Sequence, residues 1–129
     1  VSFDLEVVLD CARAALPLCL SEAIKGSPLT IIDSLEVSIV SDADISKIHE
    51  KFMDDSSPTD VITFDYGEII SSADTALRVS NDRGMSVEKE LALYIIHGML
   101  HLAGYRDGTS EEFNQITELQ KKILAEIWL

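Results

Sequence analysis

Basic residues are scarce in this sequence. Its 129 residues include 10 lysines and arginines against 23 aspartates and glutamates, and the formal net charge at pH 7 is −13. A protein that binds nucleic acid broadly and without specificity presents many cations to the phosphates, so this balance argues against that class of protein. One local basic or metal-bearing patch is still compatible with the composition.

Long apolar runs are missing as well. No stretch approaches the about 20 apolar residues that a membrane-spanning helix needs, so we expect no membrane partner. The opening stretch, VSFDLEVVLDCARAAL, carries acids where a secretory signal peptide carries basic residues, and we expect no signal peptide there. Because the sequence starts with valine, we expect an initiator methionine or a short leader to precede it.

Cysteine occurs only twice, at Cys11 and Cys19. Both lie in a segment with helical periodicity, where eight residues rise about 12 Å, too far for a disulfide. We therefore expect two buried free thiols in a reducing compartment, and hence a cytoplasmic protein. The content of 47% hydrophobic and 26% charged residues is typical of a globular protein, and the length predicts a single domain over residues 1–129.

The apolar patterning predicts an α+β fold. Helices are predicted over 5–24, 43–53, 74–83, 86–104 and from about 110 to the C-terminus, and strands over 35–41, 60–66 and 68–72. GSPLT (26–30) is predicted to be a loop, with Pro17 kinking or splitting the first helix and Asp42 capping the second. This order of elements predicts one small mixed sheet packed by about five helices.

The helix over residues 86–104 has the clearest sequence signals. Ser86 is a good N-cap residue, acids follow it in the first turn, and Gly104 is a natural residue just beyond the C-terminal end. Its central run, LALYIIHGMLHLA, is apolar on most sides. We therefore expect this helix to lie in the middle of the core.

Two histidines interrupt that apolar run. His97 and His101 are four residues apart, so they share one face of the helix and lie near enough to bind one metal ion. A histidine pair at this spacing is often structural, but an unpaired imidazole in so apolar a helix costs free energy. Gly98 is small and would leave space beside the pair, and Gly104 allows the chain to turn back past it.

Asp107 is the predicted third metal ligand. A site of two histidines and one carboxylate leaves a fourth position open for water, as in catalytic zinc sites, so we expect one Zn²⁺ or another divalent metal per chain. An ordinary turn or capping role is the alternative for Asp107, because Gly108, Thr109 and Ser110 follow it. Metalloproteases of the HExxH type place a glutamate where this sequence has Gly98, which makes a protease the weaker interpretation.

Three sequence blocks resemble the YbeY family of metal-dependent endoribonucleases, which are ribosomal RNA maturation factors. HGMLHLAGY (97–105) is similar to the family's HGxLHLxGYDH, PTDVITF (58–64) to PTDVLSF, and GEIIS (67–71) to GDIVIS. The blocks occur in the family's order, and the resemblance covers nearly the whole chain from about residue 35.

The resemblance implies both a fold and a function. The expected fold has a four-stranded sheet with the metal-bearing helix at its centre. The expected function is endoribonuclease activity in ribosomal RNA maturation and ribosome quality control. The partners it implies are ribosomal RNA, the small ribosomal subunit and a ribosomal protein.

The sequence departs from the family at two positions. The third metal ligand of the family is a histidine where this chain has Asp107, so a carboxylate would replace it. Members of the family also carry an arginine, thought to engage RNA phosphate, five residues before the PTDV block, where this chain has Met53. A non-catalytic or weakly active ribosome-assembly factor is therefore the alternative function.

Positive charge near the site is expected from three residues. Arg106 follows the glycine turn, and Lys47 and Lys51 lie four apart on the second helix, where they would form a small RNA-facing patch. An ordinary solvated surface is the alternative for all three. RNA cleavage with and without a chelator, compared with binding to ribosomal subunits, distinguishes the two functions.

Overall fold

Six helices and three strands make up the described part of the chain, which in this computed structural model comprises residues 2–55, 57 and 59–128. The elements, in chain order, are α1 Leu5–Ser21, α2 Pro28–Ile31, β1 Glu36–Val40, α3 Asp42–Met53, β2 Val61–Phe64, β3 Glu68–Ser72, α4 Ala73–Arg83, α5 Val87–Leu102 and α6 Ser110–Ile127. Pro58 of the predicted PTDV block lies outside the described residues.

The three strands form one mixed sheet in the order β1-β3-β2. β3 is central, parallel to β1 with Glu36 opposite Glu68, and antiparallel to β2 with Val61 opposite Ser71. The predicted α+β class and mixed sheet are thus confirmed, but the described residues contain three strands and not four. The fourth strand was implied only by the family resemblance. Residues 2–4, which precede α1, form no strand. The backbone N–H of Asp4 donates to the side chain of Glu88 instead of to a neighbouring strand.

The predicted loop at 26–30 is wrong in part, because α2 begins at Pro28. Proline is well suited to the first turn of a helix, since its fixed φ is helical and its missing N–H would have no partner there. This short helix raises the helix number from the predicted five to six.

Helix α5 lies at the centre of the fold, as predicted. It packs against α1, α2, α4 and α6 and against strands β2 and β3. Ten of its sixteen residues are buried, because these helices and strands surround α5 on nearly every side. Even so, no helix in the described part of the chain is both long and apolar enough to cross a membrane.

Helix α1 continues through Pro17 without a break and ends at Ser21, three residues before the predicted end. Both cysteines lie on its buried face and are free thiols, as expected from their spacing. Burial, reinforced by the nearby Glu22 carboxylate, raises the pKa of the Cys19 thiol to about 12. This thiol is therefore protonated and unreactive at neutral pH.

The N-cap of α3 is Ser41 and not the predicted Asp42. The Asp42 carboxylate instead accepts hydrogen bonds from Ser72 Oγ at 2.6 Å, Thr75 Oγ1 at 2.8 Å and the Arg78 guanidinium at 2.6 Å. Those three residues lie at the end of β3 and on α4, so Asp42 joins α3 to α4. The residues around Asp42 in the sequence predict only a local capping role, and they do not predict these contacts with distant residues.

Candidate metal centre

The two histidines of α5 meet edge to face at one end of the helix. Their Nε2 atoms are 2.8 Å apart, and their rings are nearly perpendicular with centroids 4.4 Å apart. The side chains of His97 and His101 are 22% and 27% exposed. The pair is therefore held by the fold and still reachable from solvent.

Both rings are oriented by oxygen acceptors at their other nitrogen. His97 Nδ1 bonds to Oε1 of Gln120 on α6, and His101 Nδ1 lies 2.9 Å from the backbone carbonyl oxygen of Tyr105. Because a carbonyl oxygen only accepts hydrogen bonds, each Nδ1 carries the hydrogen. In the neutral rings each Nε2 then has a free lone pair, and both lone pairs face one region. Such outer partners are typical of metal-binding histidines.

The end of α5 returns the chain to the histidines through a Schellman turn. The N–H of Tyr105 donates to the carbonyl of Leu100, and that of Gly104 to the carbonyl of His101, both at 3.0 Å. Gly104 has φ +100°, a backbone conformation that favours glycine. Tyr105 Oη donates to the carbonyl of Glu22 at 2.6 Å, which fastens the turn to the end of α1.

Asp107 follows this turn and faces both rings. Its Oδ2 lies 3.4 Å from His97 Nε2 and 3.4 Å from His101 Nε2. One ligand atom from each of these residues falls within 4.8 Å of the other two. Two imidazole nitrogens and one carboxylate oxygen, arranged this closely, fit a divalent ion with an open coordination position. The structure thus brings together all three predicted ligands.

The three side chains lie in the wall of an open cleft of about 550 Å³, here called the metal cleft. Arg106 lines it, as predicted, and so does Met53 at the family's arginine position, where it is 50% exposed. Lys47 and Lys51 lie on α3 and are not among the residues that line the metal cleft. Their RNA contact stays a prediction.

Gly98 does not leave free space beside the histidines, in contrast to the sequence prediction. A Cβ built on it would lie 2.9 Å from Thr63 Cγ2 and 3.1 and 3.2 Å from two carbons of Ile69. Glycine at this position lets α5 approach β2 and β3 closely. A glutamate there would point into the sheet, so an HExxH-type general base does not fit this helix.

Gln120 is the site residue that sequence reasoning missed. It lies between Ile116 and Ile123, both buried, at the spacing of one helical face of α6. A polar residue within an apolar stripe was the available signal. Its contact with His97 spans 23 residues of sequence, so it depends on how α6 packs against α5.

The α+β fold and the site define a small protein with two histidines and one aspartate at an open cleft. The family model described as "Endoribonuclease YbeY" matches residues 6–128. The chain belongs to this family.

Relatives agree with that assignment, and a solved structure shares the fold. Proteins named "Endoribonuclease YbeY" from Syntrophomonas wolfei and Rhodopirellula baltica are 30% and 32% identical to the chain, over 96% and 84% of its length. The chain spans 86% of the first relative and 62% of the second. A solution structure of a Thermotoga maritima protein matches with a TM-score of 0.68 and 27% identity, over 98% of this chain and 85% of that one.

Proposed function

We propose that this protein is a metal-dependent endoribonuclease that acts in ribosomal RNA maturation and ribosome quality control. The observation that carries the proposal is the convergence of His97, His101 and Asp107, with ligand atoms within 4.8 Å of one another, on an open cleft. Membership of a family described as an endoribonuclease supplies the reaction class.

Zinc is the proposed cofactor, with one ion per chain held by His97, His101 and Asp107. Nitrogen and oxygen donors in this number are typical of catalytic zinc sites. When bound, such an ion polarises a phosphoryl oxygen and acidifies a bound water. The chain's own part is to hold both Nε2 lone pairs on the site, through Gln120 and the Tyr105 carbonyl, before substrate arrives.

Arg106 is the proposed cation for substrate in the metal cleft, since it follows the glycine turn and lines that cleft. The proposed partners are ribosomal RNA within the small ribosomal subunit, and a ribosomal protein. The proposed location is the cytoplasm, where two free thiols persist.

Metal analysis and RNA cleavage together test the proposal. Protein purified without chelator is expected to contain one zinc per chain, and His97→Ala and His101→Ala are each expected to lose it. Single-turnover cleavage of a ribosomal RNA fragment should stop with chelator and return with added zinc. The His101→Ala protein controls for contaminating nucleases, and equal cleavage by it and the wild type would refute the proposal.

A non-catalytic assembly factor is the second candidate, and Met53 is the observation that favours it. This uncharged side chain lines the metal cleft, at the position where the family resemblance implies an arginine thought to engage RNA phosphate. Metal binding and retained binding to small ribosomal subunits, without cleavage of any RNA tested, would select this second function.

A further inference from the structure

A second cleft of about 290 Å³ adjoins the metal centre at His97 and is here called the side cleft. It shares two lining residues with the metal cleft, His97 and Asp60. The metal ligand His97 therefore lies in the common wall. An RNA strand with one phosphate at the metal centre would therefore have a neighbouring nucleotide close to the side cleft.

The two clefts differ in the charged side chains that line them. The metal cleft has one cation, Arg106, and three carboxylates, those of Asp60, Asp65 and Asp107. The side cleft has two cations, Arg83 and Lys121, and one carboxylate, that of Asp60. Arg83 is paired with the buried Glu90, and in a chain with a net charge of −13 the second cation, Lys121, makes the side cleft a favourable path for the phosphates of a polyanion.

Arg83 is held in the side cleft by a buried partner. Its guanidinium donates to Glu90 Oε1 at 3.1 Å, and the Glu90 side chain is 0% exposed, whereas that of Arg83 is 57% exposed. A guanidinium has five N–H donors in a fixed fork. One donor is engaged by the glutamate beneath it, so the exposed part of the fork remains free to bind a phosphate.

An exposed aromatic ring completes the side cleft. Phe113 lies in the first turn of α6, is 54% exposed and lines the side cleft, so its ring is accessible to a ligand there. Lys121 lies two turns along the same helix and lines the same cleft. A ring beside two cations is the combination with which proteins bind single-stranded RNA, by stacking a base and holding its backbone.

We infer that the side cleft binds the nucleotide next to the scissile phosphate of a single-stranded RNA, with its base on Phe113 and its phosphate at Arg83 and Lys121. The inference rests on the proposed ribonuclease function and adds where the RNA strand runs. It also accounts for Met53, because the phosphate contacts come from residues of the side cleft, which Met53 does not line.

The test is binding of a short single-stranded RNA, 2′-O-methylated so that it is not cleaved, to the zinc-loaded protein. Fluorescence anisotropy is measured over a range of salt concentrations for wild type, Phe113→Ala, Phe113→Trp, Lys121→Gln and Arg83→Lys. Lys122→Gln is the matched control, because Lys122 is the next residue of α6 but pairs with Glu22 at 3.3 Å. Arg83→Lys keeps a positive charge over buried Glu90, so the fold is preserved.

Phe113→Ala is expected to weaken binding by about 5-fold or more, and Phe113→Trp to restore it, because stacking requires only a ring. Lys121→Gln should lower the slope of log affinity against log salt by about 0.7, the value for one phosphate contact on a single strand. Arg83→Lys should weaken binding without changing that slope, since it loses the fork and keeps the charge. Lys122→Gln should behave as wild type.

Equal affinity of wild type, Phe113→Ala and Lys121→Gln for the RNA would overturn the inference, even if the wild type cleaves RNA. Loss of binding in Lys122→Gln equal to that in Lys121→Gln would also overturn it, because any surface lysine would then suffice. The expected binding pattern in a protein that cleaves no RNA would support the side cleft and refute the nuclease function. The two proposals therefore fail separately.

Discussion

Replacement of Gly98 by alanine tests how closely the metal-bearing helix must approach the sheet. The added Cβ would lie 2.9 Å from Thr63 Cγ2, closer than a Cβ approaches without a shift, and 3.1 Å from Ile69 Cγ2, which is tighter than most such contacts. Neither neighbour moves easily, because Thr63 is β-branched within a strand and Ile69 is 0% exposed in the core. The helix itself must therefore move away from β2 and β3.

Two opposing terms set the size of the effect. Overpacking a core by one methyl group costs roughly 1–3 kcal/mol, whereas alanine is favoured over glycine within a helix by about 1 kcal/mol. Since both contacts are tight and stiff, we expect a cost of about 2–3 kcal/mol and therefore a net loss of about 1–2 kcal/mol in the free energy of unfolding. That loss corresponds to a fall in Tm of roughly 3–8 °C for a domain of this size.

Thermal and urea unfolding of the metal-free protein would measure this loss without a contribution from bound metal. Gly108→Ala is the matched control, because its Cβ would meet nothing closer than Glu112 Oε1 at 3.7 Å. We expect the control to change stability by less than about 0.5 kcal/mol. A Gly98→Ala protein as stable as wild type, or stabilised by the alanine, would refute the close approach of α5 to the sheet.

Four further predictions concern the site and its support. Gln120→Leu should weaken zinc binding by about 10- to 100-fold, because His97 loses the acceptor that orients its ring. Competition with a chelator measures this affinity, and an unchanged value would show that the acceptor is dispensable. Asp107→His should keep the metal and Asp107→Ala should lose it by elemental analysis, and tight binding by the alanine variant would make Asp107 a turn residue only. Met53→Arg should raise the rate of single-turnover RNA cleavage by about 10-fold or more, since a charge-assisted phosphate contact is worth roughly 1.5–3 kcal/mol. An unchanged rate would show that a cation at this position does not contribute to catalysis. Burial raises the pKa of Asp42, but its hydrogen bonds with Ser72, Arg78 and Thr75 outweigh burial and lower that pKa below 3.8. The ionised form of Asp42 therefore stabilises the fold above about pH 4. Asp42→Asn should lose about 2 kcal/mol in the free energy of unfolding at pH 7, and this loss should shrink as urea unfolding is repeated at lower pH.

The sequence alone was enough to predict the three candidate metal ligands. His97 and His101 share a face because the helical period is 3.6 residues, and Gly104 predicts the turn that brings Asp107 back. All of this lies within eleven residues, so local geometry decides it. The strands are likewise marked by β-branched residues bounded by turn signals, and each of the three was predicted within two residues of its observed ends.

Only the tertiary structure decided how the site is supported and reached. Gln120 meets His97 across 23 residues of sequence, and Asp42 meets Arg78 across 36, through packing that no local pattern encodes. Gly98 likewise acquires its role only when α5 lies against β3. Each of these contacts depends on which faces of two distant elements are pressed together, and that choice is made by burial of the whole core and not by any single segment.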